Sequence, residues 1–396
     1  MNPTGLPRRL TILGSTGSIG QNTLDVVNQM GGREVFEIEA ITGNGNIALL
    51  AEQARRFGAR MAVTASERHY ADLKAALAGS GIAVGAGPNA LVEAASRPSD
   101  MVMAAIVGTA GLAPTLAAAW RGADIALANK ECLVTAGALF VEAVEKGGGR
   151  LLPVDSEHNA IFQVLEEPQR HALERIILTA SGGPFRTWTR EQMKDVTAET
   201  AARHPNWSMG MKISVGSATM FNKALEMIEA KHLFHVRPDQ IEVVVHPQSV
   251  IHSMVGYSDG SVLAQLGCPD MRTAIGYALS YPRRAVLNVD RLDFTRLSRL
   301  DFEQPDETRF PAIRLARLAL SRGGLQSAVM NAAEETAFDA FVAGRIGFLD
   351  MALVAEAIME EMLGCGDADG IEQVFAADAE ARMRAGQFIE RMSLAA

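Results

Sequence analysis

Cysteine is scarce and scattered, with only Cys132, Cys268 and Cys365 in 396 residues. No two of them form a CxxC pair, so neither a disulfide framework nor a thiolate zinc site is indicated. That usage suits a reducing, cytoplasmic setting. Cations are in deficit as well: 37 Lys and Arg stand against 46 Asp and Glu, for a formal net charge of −9. A nucleic-acid backbone is therefore a poor partner. An anionic small molecule is not excluded, because a few local cations outweigh a weak global field. Internal repeats and low-complexity tracts are missing. Residues 1–9 hold prolines and two arginines but no apolar run, so a secretory signal is not expected. Long uncharged runs are rare too. Residues 101–120 (MVMAAIVGTAGLAPTLAAAW) have the length of a membrane span. Gly108, Gly111 and Pro114 interrupt them where a buried strand would pass into a helix. Parallel strands covered on both faces read as continuous apolar runs, so strand, turn and helix are expected here rather than a membrane span.

What remains is an ordinary globular composition on a chain too long for one core, so two or three domains are expected. Residues 10–13, 36–42, 61–64, 101–107 and 125–128 read as strands. Helical patterns lie between them, as at 22–30 and 47–57. Strand–helix alternation implies a parallel, doubly wound sheet. After Arg150 the character changes: strand patterns at 175–179, 241–245 and 262–266 mix with helices and glycine-rich turns. Residues 290–311 are polar and irregular, and from 312 to 391 the pattern is helical and alanine-rich.

Gly14, Gly17 and Gly20 follow the first strand and open the first helix. Glycines let the backbone approach a pyrophosphate, and a helix N-terminus offers free N–H groups and a positive dipole end. The alternative is a turn needed only for packing. An Asp or Glu at the end of the second strand would bind a ribose 2′-hydroxyl and favour NAD. This strand runs into Gly43, Asn44, Gly45 and Asn46, with no acid, which leaves room for the 2′-phosphate of NADP. No base sits in that loop either; Arg55 and Arg56 come later.

Leu151–Val154 lead into Asp155, Ser156, Glu157 and His158. In an extended segment residues two apart point to one side, so Asp155 and Glu157 are expected to project together. Paired carboxylates repel unless a cation or proton neutralises them, and hard oxygen ligands suit Mg²⁺ or Mn²⁺. A solvated acidic turn is the bland alternative. Further on, Asn222, Lys223 and Glu226 share one helix face, with Phe221, Leu225 and Ile228 on the other. They read either as an exposed ion pair or as a third metal ligand beside a phosphate clamp. The segments 179–185 and 215–219 place Ser181 and Ser217 next to glycine backbone, as anion sites or plain turns. His204, Trp207, Met209 and Gly210 lie in a loop suited to a lid. Asn129, Lys130 and Glu131 follow a strand where open α/β sheets bind ligands. His246, Ser249 and His252 are a weaker signal, more often structural.

Taken together, LTILGSTGSIG, VMAAIVG, LANKE, LLPVDSEHNAIFQ, ASGGPF, HPNWSMG, KIS, SATM, HPQSVIHSMV and DGSVLAQLG resemble the 1-deoxy-D-xylulose 5-phosphate reductoisomerase family. The likeness runs from Leu10 to about Arg272, and more loosely to the C-terminal helices. It implies an α/β fold with a Rossmann-like NADP-binding domain at 1–150. A metal- and substrate-binding α+β domain with a flap would follow at 151–290, then a linker at 291–311 and a helical domain at 312–396. It also implies rearrangement of 1-deoxy-D-xylulose 5-phosphate and reduction with NADPH to 2-C-methyl-D-erythritol 4-phosphate, a step of non-mevalonate isoprenoid synthesis. By this likeness Asp155, Glu157 and Glu226 hold Mg²⁺ or Mn²⁺, with Co²⁺ as a further fit. Lys130 and Ser156 meet the substrate's oxygenated carbons. Ser181, Ser217, Asn222 and Lys223 hold its phosphate, with His204 nearby. Thr16, Gly17, Ser18, Ile19, Asn44, Gly45, Asn46, Asn129, Glu131 and Gly210 match cofactor contacts, and Trp207 and Met209 match the flap. A homodimer is implied, with no nucleic-acid or membrane partner.

The chain departs from the family pattern at Gly45, where a base is common, and at Gly216, Cys268 and the stretch from Asn331 to Glu334. None of these removes an implied metal ligand or phosphate contact. Two other readings compete: a plain NADP dehydrogenase, which needs no three carboxylates, and a non-catalytic dinucleotide sensor, which would tolerate loss of Lys223 and Glu226.

Overall fold

The computed structural model describes residues 6–207 and 209–395; residues 1–5, part of the stretch expected to carry no secretory signal, Ser208 of the HPNWSMG loop and Ala396 lie outside it. The chain divides into two units, neither continuous in sequence. One takes the chain up to Cys132, Phe140–Asn159 and Asp270–Asp290; the other takes Leu133–Leu139, Ala160–Pro269 and Arg291 onward.

The first unit alternates strand and helix as its apolar runs predict. Its elements are β1 (Arg8–Leu13), α1 (Ser18–Gln29), β2 (Phe36–Gly43), α2 (Ile47–Phe57), β3 (Met61–Thr64), α3 (Tyr70–Ala76), β4 (Ala83–Ala86) and α4 (Gly87–Ser96). They continue as β5 (Met101–Ala104), α5 (Leu112–Trp120), β6 (Asp124–Leu127), α6 (Glu131–Gly147) and β7 (Leu151–Pro153). The seven strands form a parallel sheet in the order β4-β3-β2-β1-β5-β6-β7. Leu10, Ile12 and Leu13 of β1 are wholly buried, and each such side chain contributes on the order of 2 kcal/mol by leaving water. The uncharged run 101–120 is β5, a turn and α5, and no described helix is long and apolar enough to cross a membrane. β5 stops at Ala104, short of the expected residue 107: the ladder ends level with Leu13, its partner in β1.

From α7 (Ser156–Val164) the chain enters the second unit. There β8 (Leu173–Ala180), α8 (Ala198–Ala201), α9 (Met211–Ala218), α10 (Phe221–Phe234), β9 (Ile241–Val245), β10 (Ile251–Tyr257) and β11 (Val262–Leu266) follow. The sheet order is β11-β10-β8-β9, parallel only between β8 and β9. α11 (Met271–Ser280) returns to the first unit and packs on α1. The irregular stretch is irregular apart from one bridge, Glu303 to Val245. The helical C-terminal pattern becomes α12 (Ala312–Arg322), α13 (Gln326–Val342), α14 (Asp350–Glu361) and α15 (Ile371–Ala395). These helices share one hydrophobic core with β8, β9 and α10.

Candidate active site

At the first glycine turn the backbone demands what only glycine supplies. Gly14 sits at φ +86°, and a Cβ there would lie 2.6 Å from the Ala105 carbonyl oxygen. A Cβ at Gly20 would lie 2.3 Å from the Gly14 carbonyl oxygen. The turn is pinned to β2 through Gly14 N–H to Thr42 Oγ1 (2.8 Å) and Ser15 N–H to the Thr42 carbonyl (2.7 Å). Gly17 is the N-cap of α1 and brings no side-chain cap. The first-turn N–H groups around Ser18 and Ile19 are thus free of the usual capping oxygen, the arrangement that receives phosphate. Thr16 is half-buried, and Gly17 and Ser18 are exposed. Beyond β2, Asn44, Gly45 and Asn46 are exposed, and Asn46 caps α2 by accepting from Leu49 N–H (3.2 Å).

After β6, Asn129 is a bracket. Its Nδ2 donates to the carbonyls of Ile106 and Gly108 and its Oδ1 accepts from Cys132 N–H (2.8 Å). Glu131 accepts from Gly108 N–H (3.0 Å). Both side chains hold the loop after β5 in place. Between them Lys130, nearly buried, donates to Asp155.

Asp155 and Glu157 do bring carboxylate oxygens within 4.8 Å of one another, as expected, but the extended backbone assumed for them needs correcting. They do not extend a strand: β7 ends at Pro153 and Ser156 begins α7. Asp155 Oδ1 accepts the Glu157 and His158 N–H groups at 3.0 and 3.2 Å, so it caps the helix and turns the chain. Glu157 stands on the first helical turn and accepts from Ser156 Oγ (2.7 Å). Ser217 likewise lies in helix α9, not in a turn.

In the second unit the α10 pair is buried rather than exposed. Glu226 has zero exposure and Lys223 4%, so the solvated ion-pair reading fails. Lys223 Nζ and Asn222 Nδ2 both donate to the Glu226 carboxylate. Phe221, Leu225 and Ile228 are buried as expected, but so is most of the helix. Met220, at φ +66°, makes the sharp junction between α9 and α10, a strained position of the kind found at sites.

Ser181, just past β8, ties hydroxyls and imidazole together: its Oγ lies 2.8 Å from His204 Nε2 and 3.4 Å from Ser217 Oγ. Burial pushes the His204 pKa down to about 4. The loop that follows is anchored by Asn206, whose Nδ2 donates to the Pro247 carbonyl (2.6 Å) and Ser249 Oγ (3.1 Å). Ser249 is itself left-handed at φ +51°. Trp207 is half-buried against His252, ring centres 5.9 Å apart. Met209 is half-buried, and Gly210 caps α9. His246 is structural, as its weaker signal suggested: wholly buried, it bonds the Asp301 carbonyl and accepts from Val250 N–H. The anchoring role of Asn206 was not legible, because Pro247 and Ser249 lie some forty residues away.

A doubly wound sheet with a phosphate-ready first turn, in a chain that also carries an α+β unit with buried lysine–carboxylate chemistry, defines the class of dinucleotide-dependent α/β enzymes. Comparison with known proteins makes the assignment specific. The 1-deoxy-D-xylulose 5-phosphate reductoisomerase family matches at residues 10–137, its C-terminal domain at 151–234, and the DXP reductoisomerase C-terminal domain at 266–384. The chain is 75% identical over 98% of both chains to the Rhizobium rhizogenes (strain K84) reductoisomerase, and 70% identical over 97% of this chain and 98% of the other to that of Rhizobium meliloti (strain 1021). The Zymomonas mobilis reductoisomerase solved with NADPH superposes with TM-score 0.91 at 51% identity, covering 97% of this chain and 99% of that one. A reductoisomerase solved with NADPH, fosmidomycin and magnesium gives TM-score 0.93 at 41% identity, with the same coverage. The chain belongs to the 1-deoxy-D-xylulose 5-phosphate reductoisomerase family.

Proposed function

We propose that the chain rearranges 1-deoxy-D-xylulose 5-phosphate and reduces the product with NADPH to 2-C-methyl-D-erythritol 4-phosphate, a step of isoprenoid biosynthesis. Asp155, Glu157 and Glu226 hold the divalent cation, Mg²⁺ or Mn²⁺. The observation that carries this reading is the acid set itself: among the described residues these three are the group of acidic side chains that could hold a metal ion. All three offer hard oxygen donors, which suit such ions. Lysine ammonium groups on Asp155 and on Glu226 supply positive charge to carboxylates that burial would otherwise penalise.

A bound divalent ion supplies Lewis-acid polarisation of the substrate's carbonyl and hydroxyl oxygens. The protein's own groups do the rest. Lys130 and Ser156 hydrogen-bond the oxygenated carbons and orient them. Ser181, Ser217, Asn222 and Lys223 bind the phosphate, with the His204 imidazole behind Ser181. Thr16 to Ile19, Asn44 to Asn46, Asn129, Glu131 and Gly210 position NADPH, and Trp207 and Met209 cover the site and exclude water. Residues 1–150 serve the cofactor, 151–290 the metal and substrate, and 291–311 join these to the helical region 312–396. The enzyme works as a cytoplasmic homodimer.

The test is NADPH oxidation driven by 1-deoxy-D-xylulose 5-phosphate, with and without a chelator. Turnover abolished by metal removal and restored by Mg²⁺ or Mn²⁺ supports the reading; turnover that survives complete removal defeats it.

A further inference from the structure

The loop after β2 poses a charge problem that the sequence leaves open. In a doubly wound sheet the adenosine ribose is met at the carboxyl end of β2, and a 2′-phosphate there needs a cation. This inference rests on the NADPH reading above. Asn44, Gly45 and Asn46 provide no charge, and the Asn46 side chain is already spent as the cap of α2.

The two arginines nearest in sequence do not supply it. Arg55 bonds the Ala76 carbonyl through Nε and a terminal nitrogen, and Arg56 lies over the Phe57 ring. Both sit in the last turn of α2, which lies roughly 12 Å along the helix from the loop at 1.5 Å per residue.

Strand pairing brings another candidate. β3 runs parallel to β2 with Gly43 opposite Thr64. The connection is tightened by Ala65 N–H to the Gly43 carbonyl (2.8 Å) and Thr64 Oγ1 to the Asn44 carbonyl (2.7 Å). The turn after β3 therefore runs beside the Asn44–Asn46 loop, and it carries Arg68 and His69. A Cβ built on Gly45 would lie 4.0 Å from His69 Nε2. Arg68 Nε donates to that same Nε2 (3.2 Å), and His69 Nδ1 lies 3.3 Å from Asp72 Oδ2. The imidazole thus carries its proton on Nδ1 and holds Arg68 by its base of attachment. The two terminal nitrogens of Arg68 make no hydrogen bond within the described residues, and the side chain is exposed. No ion pair joins Arg68 to an acid among the described residues, and Glu67 Oε1 lies 2.7 Å from where a Cβ on Gly87 would be, at the start of α4.

We propose that Arg68, steadied by His69, is the group that recognises the 2′-phosphate of NADPH in this chain, in place of a base at position 45. A guanidinium with both terminal nitrogens free matches a phosphate's paired oxygens. The missing side chain at Gly45 leaves the space through which it reaches.

The experiment is calorimetric binding of two fragments to the full chain: 2′-phosphoadenosine diphosphoribose and adenosine diphosphoribose, the second lacking only the phosphate. Wild type binds the phosphorylated fragment more tightly. Arg68→Ala weakens that fragment roughly 10- to 100-fold, the scale of charged hydrogen bonds, and leaves the other unchanged. Adding Gly45→Arg to Arg68→Ala restores much of the loss, since Gly45 has no left-handed φ and only ordinary contact awaits its Cβ. Equal binding of the phosphorylated fragment by wild type and Arg68→Ala overturns the assignment, as does equal weakening of both fragments. If neither fragment binds wild type, the cofactor reading itself falls with it.

Discussion

His204 donates from Nε2 to Ser181 Oγ at 2.8 Å because its other nitrogen is already taken. Nδ1 accepts the backbone N–H groups of Asn206 (3.1 Å) and Trp207 (3.0 Å), which leaves the ring proton on Nε2. One imidazole therefore fixes both the Ser181 hydroxyl, proposed above to bind the phosphate, and the backbone of Asn206 and Trp207, where the proposed flap begins. Removing it loosens both at once. His204→Ala is expected to raise the KM for the sugar phosphate about 10- to 100-fold. The Kd for NADPH should stay unchanged and kcat should move less than KM. A collapse of kcat at constant KM in steady-state assays would contradict this role.

The same burial sets a pH dependence of stability. His204 and His232 both titrate at about 4, each lowered first by loss of water around the ring, and His232 also by Lys231 and His235. In the unfolded chain an imidazole takes up its proton near its ordinary pKa of about 6.5. Above that value both states are neutral and no stability is lost. As pH falls from about 6.5 towards 4 the unfolded chain binds protons that the folded one refuses, so stability falls with pH. Urea unfolding across this window should show that slope. His232→Gln should reduce it by about one proton; an unaltered slope would mean that His232 charges in the native state.

Glu226 presents the sharpest electrostatic case. It has zero exposure, and Lys223 and Asn222 both donate to its carboxylate, so its charge is offset inside the protein by a lysine and an amide. Glu226→Gln keeps the shape and removes the charge. Expected are a kcat lower by about 100-fold or more and a higher apparent Kd for Mg²⁺, read from rate against metal concentration. Wild-type kinetics at limiting Mg²⁺ would remove Glu226 from the ligand set.

How much of this could be read beforehand depended on how local each feature was. The glycine turn was legible because Gly14, Gly17 and Gly20 act within one strand–helix junction. The acids at 155 and 157 and their convergence were seen, but the backbone that brings them together was not: period-two reasoning assumed an extended chain, whereas Asp155 caps a helix. β10 was missed because its seven residues IHSMVGY are buried on both faces and show no alternation. The neighbours Gly45 and His69, or Asn206 and Ser249, meet only through strand pairing or a returning loop. Nothing in the intervening residues announces such contacts.

One glycine outside the recognisable motifs yields a stability prediction in which two effects oppose. Gly137 lies inside α6, next to Ala136, whose φ of −126° and ψ of 23° break the helix. On helix propensity alone, Gly137→Ala should stabilise by about 1 kcal/mol. The new Cβ, however, would lie 2.4 Å from both Cδ2 and Nε2 of His232, a half-buried ring on α10. Overpacking of that kind typically costs 1–3 kcal/mol, which exceeds the propensity gain. Gly137→Ala is therefore expected to be less stable by up to about 2 kcal/mol in urea unfolding. The double variant with His232→Ala should recover part of the loss, because the clash has gone while the propensity gain remains. If Gly137→Ala alone is the more stable protein, the imidazole is not what keeps that position a glycine.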